Sequence, residues 1–192
     1  MLSDSFQADY VLVKPQVRFT LKRGKSQERA DYLGTIYGHC RGRLADASEK
    51  GYLGVVKYLV GCGANVHADD DHALMWASRN GHLEVVQFLI GVGADVHGGN
   101  DCALRWASDG GHLEVVKYLV SQGADVHAEN DYALRSASRG GHLEVTKYLI
   151  SQGADVHGGD DGALRWALRD GHLEVAEYLA SEGADIRRMT VS

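Results

Sequence analysis

The stretch "GHLEVVKYLVSQGADVH", Gly111–His127, decides how this chain folds. Placed at about 100° per residue, its first part is apolar almost all round: Leu113, Val115, Val116, Tyr118, Leu119 and Val120. Only Glu114 and Lys117 form a polar window. They stand three residues apart, a spacing at which an ion pair adds a few tenths of a kcal/mol at most. A helix of this kind must be covered on nearly every side. A single short unit cannot cover it.

The chain supplies the cover by repetition. "GHLEVV" begins at Gly81 and Gly111, "GHLEVT" at Gly141 and "GHLEVA" at Gly171. "GADVH" begins at Gly93, Gly123 and Gly153, with "GANVH" at Gly63 and "GADIR" at Gly183. The period is 30. A degenerate copy, "RLADASEKGYLGVVKYLVGCGANVH", opens the series at Arg43. Five copies are expected over residues 43–187, divided near 43–70, 71–100, 101–130, 131–160 and 161–187. A non-repeat segment, 1–42, precedes them, and a tail, 188–192, follows.

Each copy predicts two short helices. The first, as in "CALRWASDG", runs about two turns, and the second, as in "HLEVVKYLVSQ", about three. Both end at glycine, an ordinary helix stop. In the first helix Leu104, Ala107 and Ser108 share one side, while Trp106 points away from Leu104 with Arg105 and Asp109 flanking it. Stacking such units buries what one unit cannot, so the expected fold is an all-α solenoid.

Composition narrows the function. Hydrophobic content of 44% and charged content of 24% suit a folded protein. The net charge of −6 is uneven. Residues 1–43 hold eight Lys/Arg against four Asp/Glu, so the remainder is strongly acidic. An acidic body argues against general nucleic-acid binding, which needs cations to displace phosphate counterions. Three cysteines, Cys40, Cys62 and Cys102, have no paired spacing, so a reducing compartment is expected, cytoplasmic or nuclear. No stretch reaches the roughly 20 apolar residues of a membrane span. The opening "MLSDSFQADY" has no secretory core. Within 1–42, "YVLVKPQVRFTL" has the apolar content of a strand and "SQERADYLGTIYG" that of a helix covering the first copy.

These residues carry a family resemblance. "GHLEVVKYLVSQGADVH" is similar to the core of the ankyrin repeat, and the five copies cover about three quarters of the chain. The resemblance implies helix–turn–helix units joined by a β-hairpin loop, and a module that binds proteins without enzymatic activity. The chain departs from the family in three places. The period is 30 rather than 33, and the missing residues fall where the family's hairpin finger lies. "HALM", "CALR", "YALR" and "GALR" stand in place of Thr-Pro-Leu-His. The residue after "GADV" or "GANV" is histidine (His67, His97, His127, His157) rather than asparagine. This short variety resembles the ankyrin arrays of giant viruses of amoebae, and a viral source would make the partner a host protein. No F-box-like segment follows "ADIRR", so a ubiquitin-ligase adaptor role is not expected.

Comparing the copies with one another sorts the candidate sites. Asp71, Asp101, Asp131 and Asp161 recur unchanged before "xAL" and suit helix N-caps. The histidine ladders at 67, 97, 127, 157 and at 82, 112, 142, 172 invite a metal reading. Stacked helices lie about 8–10 Å apart, too far for ligands each about 2 Å from one zinc ion. No metal or cofactor is expected, and the histidines are read as hydrogen-bonding turn residues. Cys102 stands where other copies have His72, Tyr132 and Gly162. It is a variable position with a contact role or none, not a nucleophile built into the repeat.

Trp76, Trp106 and Trp166 form a row broken by Ser136, on the side that the ankyrin resemblance places on the concave surface. Tryptophan and arginine are hot-spot residues. The expected partner-binding set is Trp76, Arg79, Cys102, Arg105, Trp106, Asp109, Tyr132, Arg135, Arg139, Arg165, Trp166 and Arg169. The alternative is a structural ladder in which each Trp packs on its own Arg or on the neighbouring turn. The functional expectation is a monomeric, non-enzymatic module that binds a partner protein through this face. The alternative is a structural or inert scaffold.

Overall fold

The computed structural model describes residues 44–185, and the readings for residues 1–42 and 188–192 lie outside them. Among these described residues ten helices follow one another: α1 (44–49) and α2 (Leu53–Gly61), α3 (His72–Arg79) and α4 (Leu83–Gly91), α5 (Gly98–Asp109) and α6 (Leu113–Ser121), α7 (Ala128–Arg139) and α8 (Leu143–Ser151), α9 (Gly158–Arg169) and α10 (Leu173–Ser181). Among the described residues there is no strand. The odd-numbered helices form one layer and the even-numbered helices a second.

The core runs between the layers. Leu74, Leu104, Leu134 and Leu164 from the first helices and Leu89, Leu119, Leu149 and Leu179 from the second are essentially inaccessible. They join one continuous cluster with Val85, Val115, Val145 and Val175. First helices pack more closely on one another than second helices do. Buried Ala73, Ala77, Ala103, Ala107, Ala133 and Ala137 allow that approach, whereas the second helices are separated by Val, Leu and aromatic side chains. The array therefore curls towards the first-helix side.

Both helices of a copy end on a left-handed glycine. At the end of α5, Gly111 has φ +72 and the His112 N–H donates to the Ala107 carbonyl at 3.0 Å. This is the six-to-one closure that a C-terminal glycine permits. The exposed pair expected on α6 forms, with Lys117 Nζ 2.8 Å from Glu114 Oε1.

The entry to the first helix differs from the expected simple turn. At the four entries among the described residues three successive residues are left-handed: Asp69, Asp70 and Asp71; Gly99, Asn100 and Asp101; Glu129, Asn130 and Asp131; Gly159, Asp160 and Asp161. This conformation costs an ordinary L-residue about 1–2 kcal/mol; Gly, Asn and Asp tolerate it best. All of these positions except Glu129 use those three residue types.

The recurring aspartates are not helix caps, which corrects the sequence expectation. Asp71, φ +59, makes no side-chain cap bond. Its Oδ1 instead accepts from His67 Nδ1 of the preceding copy at 3.1 Å and from the backbone N–H of Asp95, at the far end of its own copy, at 3.0 Å. Asp101 repeats the arrangement with His97 and Asp125, Asp131 with His127 and Asp155, and Asp161 with His157 and Asp185. Asp95, Asp125 and Asp155 each accept the backbone N–H of the histidine two residues on, at 2.9 Å. A hydrogen-bonded spine thus runs from copy to copy. The aspartates are buried and the carboxylate accepts, so Nδ1 carries the proton in this ladder.

The second ladder also joins copies. His82, His112 and His142 donate from Nε2 to the carbonyls of Glu49, Arg79 and Asp109, at 2.8, 2.8 and 2.9 Å. Each ring lies against a glycine of the preceding copy: a Cβ on Gly111 would stand 2.4 Å from His142 Nδ1. Gly111 is thus required twice, for its positive φ and for the ring above it.

Candidate functional site

The outer side of the first helices carries four rows of side chains, one residue per copy in each. The Trp row on this side is half-buried. The cause is the close approach of neighbouring first helices. The ring centroids of Trp76 and Trp106 are 5.3 Å apart, edge to face at 78°. His72 stacks on the other side of Trp76, 5.9 Å away and within 3° of parallel. Ser136, at the break in the row, is buried.

Arginines tie the copies together across these rings. The Arg79 guanidinium lies 5.3 Å from the Trp76 centroid and 4.4 Å from that of Trp106. Arg105 and Arg135 approach Tyr132 from two copies, at 5.4 and 4.8 Å. Arg139 and Arg169 approach Trp166 at 5.4 and 4.0 Å. A cation over an aromatic face is worth about 0.5–1 kcal/mol when exposed, so each cluster adds modestly to the stack.

The same guanidinium groups have hydrogen-bonding duties. Arg105 Nη2 donates to the Gly99 carbonyl at 2.8 Å, Arg135 to that of Glu129 at 2.7 Å, and Arg165 to that of Asp160 at 2.7 Å. Each steadies the left-handed turn at the entry of its own helix. Arg139 pairs with Asp109 of the preceding copy. Arg169 pairs with the adjacent Asp170 at 2.7 Å, and this hydrogen bond holds the Asp170 carboxyl below its usual range.

The expected contact residues therefore fall into three groups: Trp76, Arg79 and Trp106; Arg105, Tyr132 and Arg135; Asp109, Arg139, Trp166 and Arg169. Arg165 stands apart from the rings, exposed, with its bonds to the Gly159 and Asp160 carbonyls. Cys102 is half-buried beside Arg105 and Trp106, and burial pushes its thiol up. A raised thiol is a poor nucleophile.

Position 102 and its equivalents are fitted to the neighbouring arginines. Tyr132 offers its ring to two of them, and a Cβ on Gly162 would stand 2.7 Å from Arg135 Cδ. His72, at the variable position of Cys102, and Asn80, on the same rim as Arg79, also belong to this face. Asn80 Nδ2 donates to the Trp76 carbonyl at 2.9 Å. Variation between copies at both positions was the available signal. Among the described residues no His/Cys/Asp/Glu group is arranged to hold a metal ion, and no helix is long and apolar enough to cross a membrane.

The family model for ankyrin repeats (3 copies) matches residues 44–130 and again 126–190. This chain belongs to the ankyrin repeat family. Ankyrin repeats generally mediate protein–protein interaction and are typically non-enzymatic. The comparison with curated proteins finds no match. In this ankyrin array the left-handed turn stands where the sequence reading placed the shortened hairpin.

Proposed function

We propose that this ankyrin array is a binding module that takes its partner protein on the first-helix face, over the groups around Trp76–Trp106, Tyr132 and Trp166. The observation that carries this reading is the contrast between recurring and changing positions. Residues that recur in every complete copy, such as the spine aspartates and the ladder histidines, bond between copies. Residues that change line the outer side of the first helices: His72, Cys102, Tyr132 and Gly162 in one row, Arg79, Asp109, Arg139 and Arg169 in another. Half-exposed Trp and Arg side chains held rigidly against neighbours have the composition and preorganisation of hot spots.

A structural ladder is the second reading, and Arg79 lying over both Trp76 and Trp106 favours it. The two roles are separable. Trp106→Ala combined with Arg135→Ala is expected to abolish capture of a saturable partner while circular dichroism and a cooperative melt persist. An intact capture would reject this surface, and a collapsed fold with partner capture lost in proportion would favour the ladder. Proposals that follow the same reading are a five-copy division of residues 43–187, a monomeric state and an intracellular site of action. A viral origin with a host partner is a proposal resting on the sequence resemblance alone.

A further inference from the structure

The charge of the first-helix face is opposite to that of the array around it. Residues 44–185 hold ten Lys/Arg against 22 Asp/Glu. All six arginines among them lie on first helices, and all four lysines lie elsewhere. Within 72–79, 102–109, 132–139 and 162–169 a single acid, Asp109, faces those six arginines. A cationic strip therefore runs along an anionic body.

One position on the strip is incomplete by comparison with its equivalents. Arg139 and Arg169 each hold a carboxylate, from Asp109 and Asp170. Arg79 is their equivalent in an earlier copy. The residues at the two carboxylate positions are Glu49 and Asn80. Neither is paired with Arg79; Asn80 is turned to the Trp76 carbonyl. Among the described residues Arg79 makes contacts with the two indole rings but no hydrogen bond or ion pair. It is exposed. The contacts with the rings leave its N–H donors uncommitted among the described residues, and a guanidinium can receive a carboxylate through two parallel bonds.

We infer that Arg79, steadied by Trp76 and Trp106, is the docking point for an aspartate or glutamate side chain of an acidic segment of the partner protein. The inference rests on the proposed first-helix binding face and names the chemistry of its occupant. Arg105 and Arg135, one and two copies further on, continue the positive strip along which the acidic segment runs. A nucleic acid is disfavoured as occupant because a polyanion of uniform charge meets the acidic body on either side of the strip.

The test uses the full chain and a random peptide library displayed on phage, selected in parallel on the wild type and on Arg79→Gln. Arg79 is exposed and makes no hydrogen bond among the described residues, so the variant loses only its contacts with the two rings and is expected to fold, with a slightly lowered melting temperature. Peptides selected on the wild type are expected to carry Asp or Glu at one fixed position. They are expected to bind Arg79→Gln about tenfold or more weakly, the scale of a lost charge-assisted hydrogen bond. Changing that acid to its amide is expected to remove the difference between the two proteins. Peptides without an acid that lose binding to Trp106→Ala would overturn the Arg79 assignment and leave the face standing. Peptides indifferent to both substitutions, or no selected peptide, would overturn both.

Discussion

Gly111 and Gly171 occupy the same position in two copies and meet different surroundings. Gly111 has φ +72 and the His142 ring above it, 2.4 Å from where a Cβ would lie. Gly171 has φ +83 and open space. The contrast extends to their copies. Ser108 and Ser138 are fully buried, whereas Leu168, at the same position, is 37% exposed. Asp131 accepts the Asp155 N–H at 2.9 Å, but the Asp161–Asp185 bond is 3.3 Å, and Asp161 Oδ2 is buried without a partner. A recurring residue is thus constrained from two directions, by its own turn and by the copy that stacks on it.

The largest expected effect separates those two constraints. Gly111→Ala should lose about 2–3 kcal/mol, from about 1–2 for the left-handed backbone and about 1 for the displaced His142 hydrogen bond. Gly171→Ala should lose only the backbone part, about 1–2 kcal/mol. Thermal melts of the two variants check this. In a His142→Ala background Gly111→Ala should fall to the cost of Gly171→Ala. Simple additivity in that double-mutant cycle would break the comparison.

Next comes the spine. Asp131→Ala leaves His127 and the Asp155 N–H without their acceptor and should cost about 1.5–3 kcal/mol. Asp161→Ala should cost less, because it removes a longer bond and an unpartnered buried oxygen. Denaturant midpoints at unchanged slope would show it; an equal or larger loss at Asp161 would contradict the account.

Trp106→Ala should cost about 0.5–1.5 kcal/mol for its edge-to-face partner, beyond the area it loses. Trp166→Ala, with no indole partner, should cost less, again by melting. The smallest effect is at the exposed Glu114–Lys117 pair. Lys117→Ala should change stability by about 0.5 kcal/mol or less, and by still less in high salt.

Much of the fold was legible in "GHLEVVKYLVSQGADVH". An all-round apolar helix with glycine at its end and a period of 30 leaves stacking as the way to bury Leu119 and Val116. The spine was only half legible. Recurrence marked Asp101 as structural, but it could not say that its partners are His97 of the preceding copy and the N–H of Asp125 at the far end of its own. N-capping uses the same residue type, and only the left-handed backbone separates the two roles. The site was legible in direction and not in burial. Helical angles placed Trp106 opposite Leu104. The closeness of Trp76, and Arg79 lying over both rings, depends on how far Ala103 and Ala107 let two helices approach, which no single copy specifies.

The central claim is a division of labour: recurring residues couple the copies, and changing first-helix residues meet the partner. It is tested most directly by a substitution scan of residues 44–185 that reads folded abundance and binding of the selected peptides in the same variants. Abundance losses should concentrate at the spine aspartates, the ladder histidines and the glycines beneath them. Binding losses at full abundance should concentrate at Arg79, Trp106, Tyr132, Arg135 and their neighbours on the first helices. Binding losses at full abundance on the second helices, or spread evenly over both layers, would contradict the account.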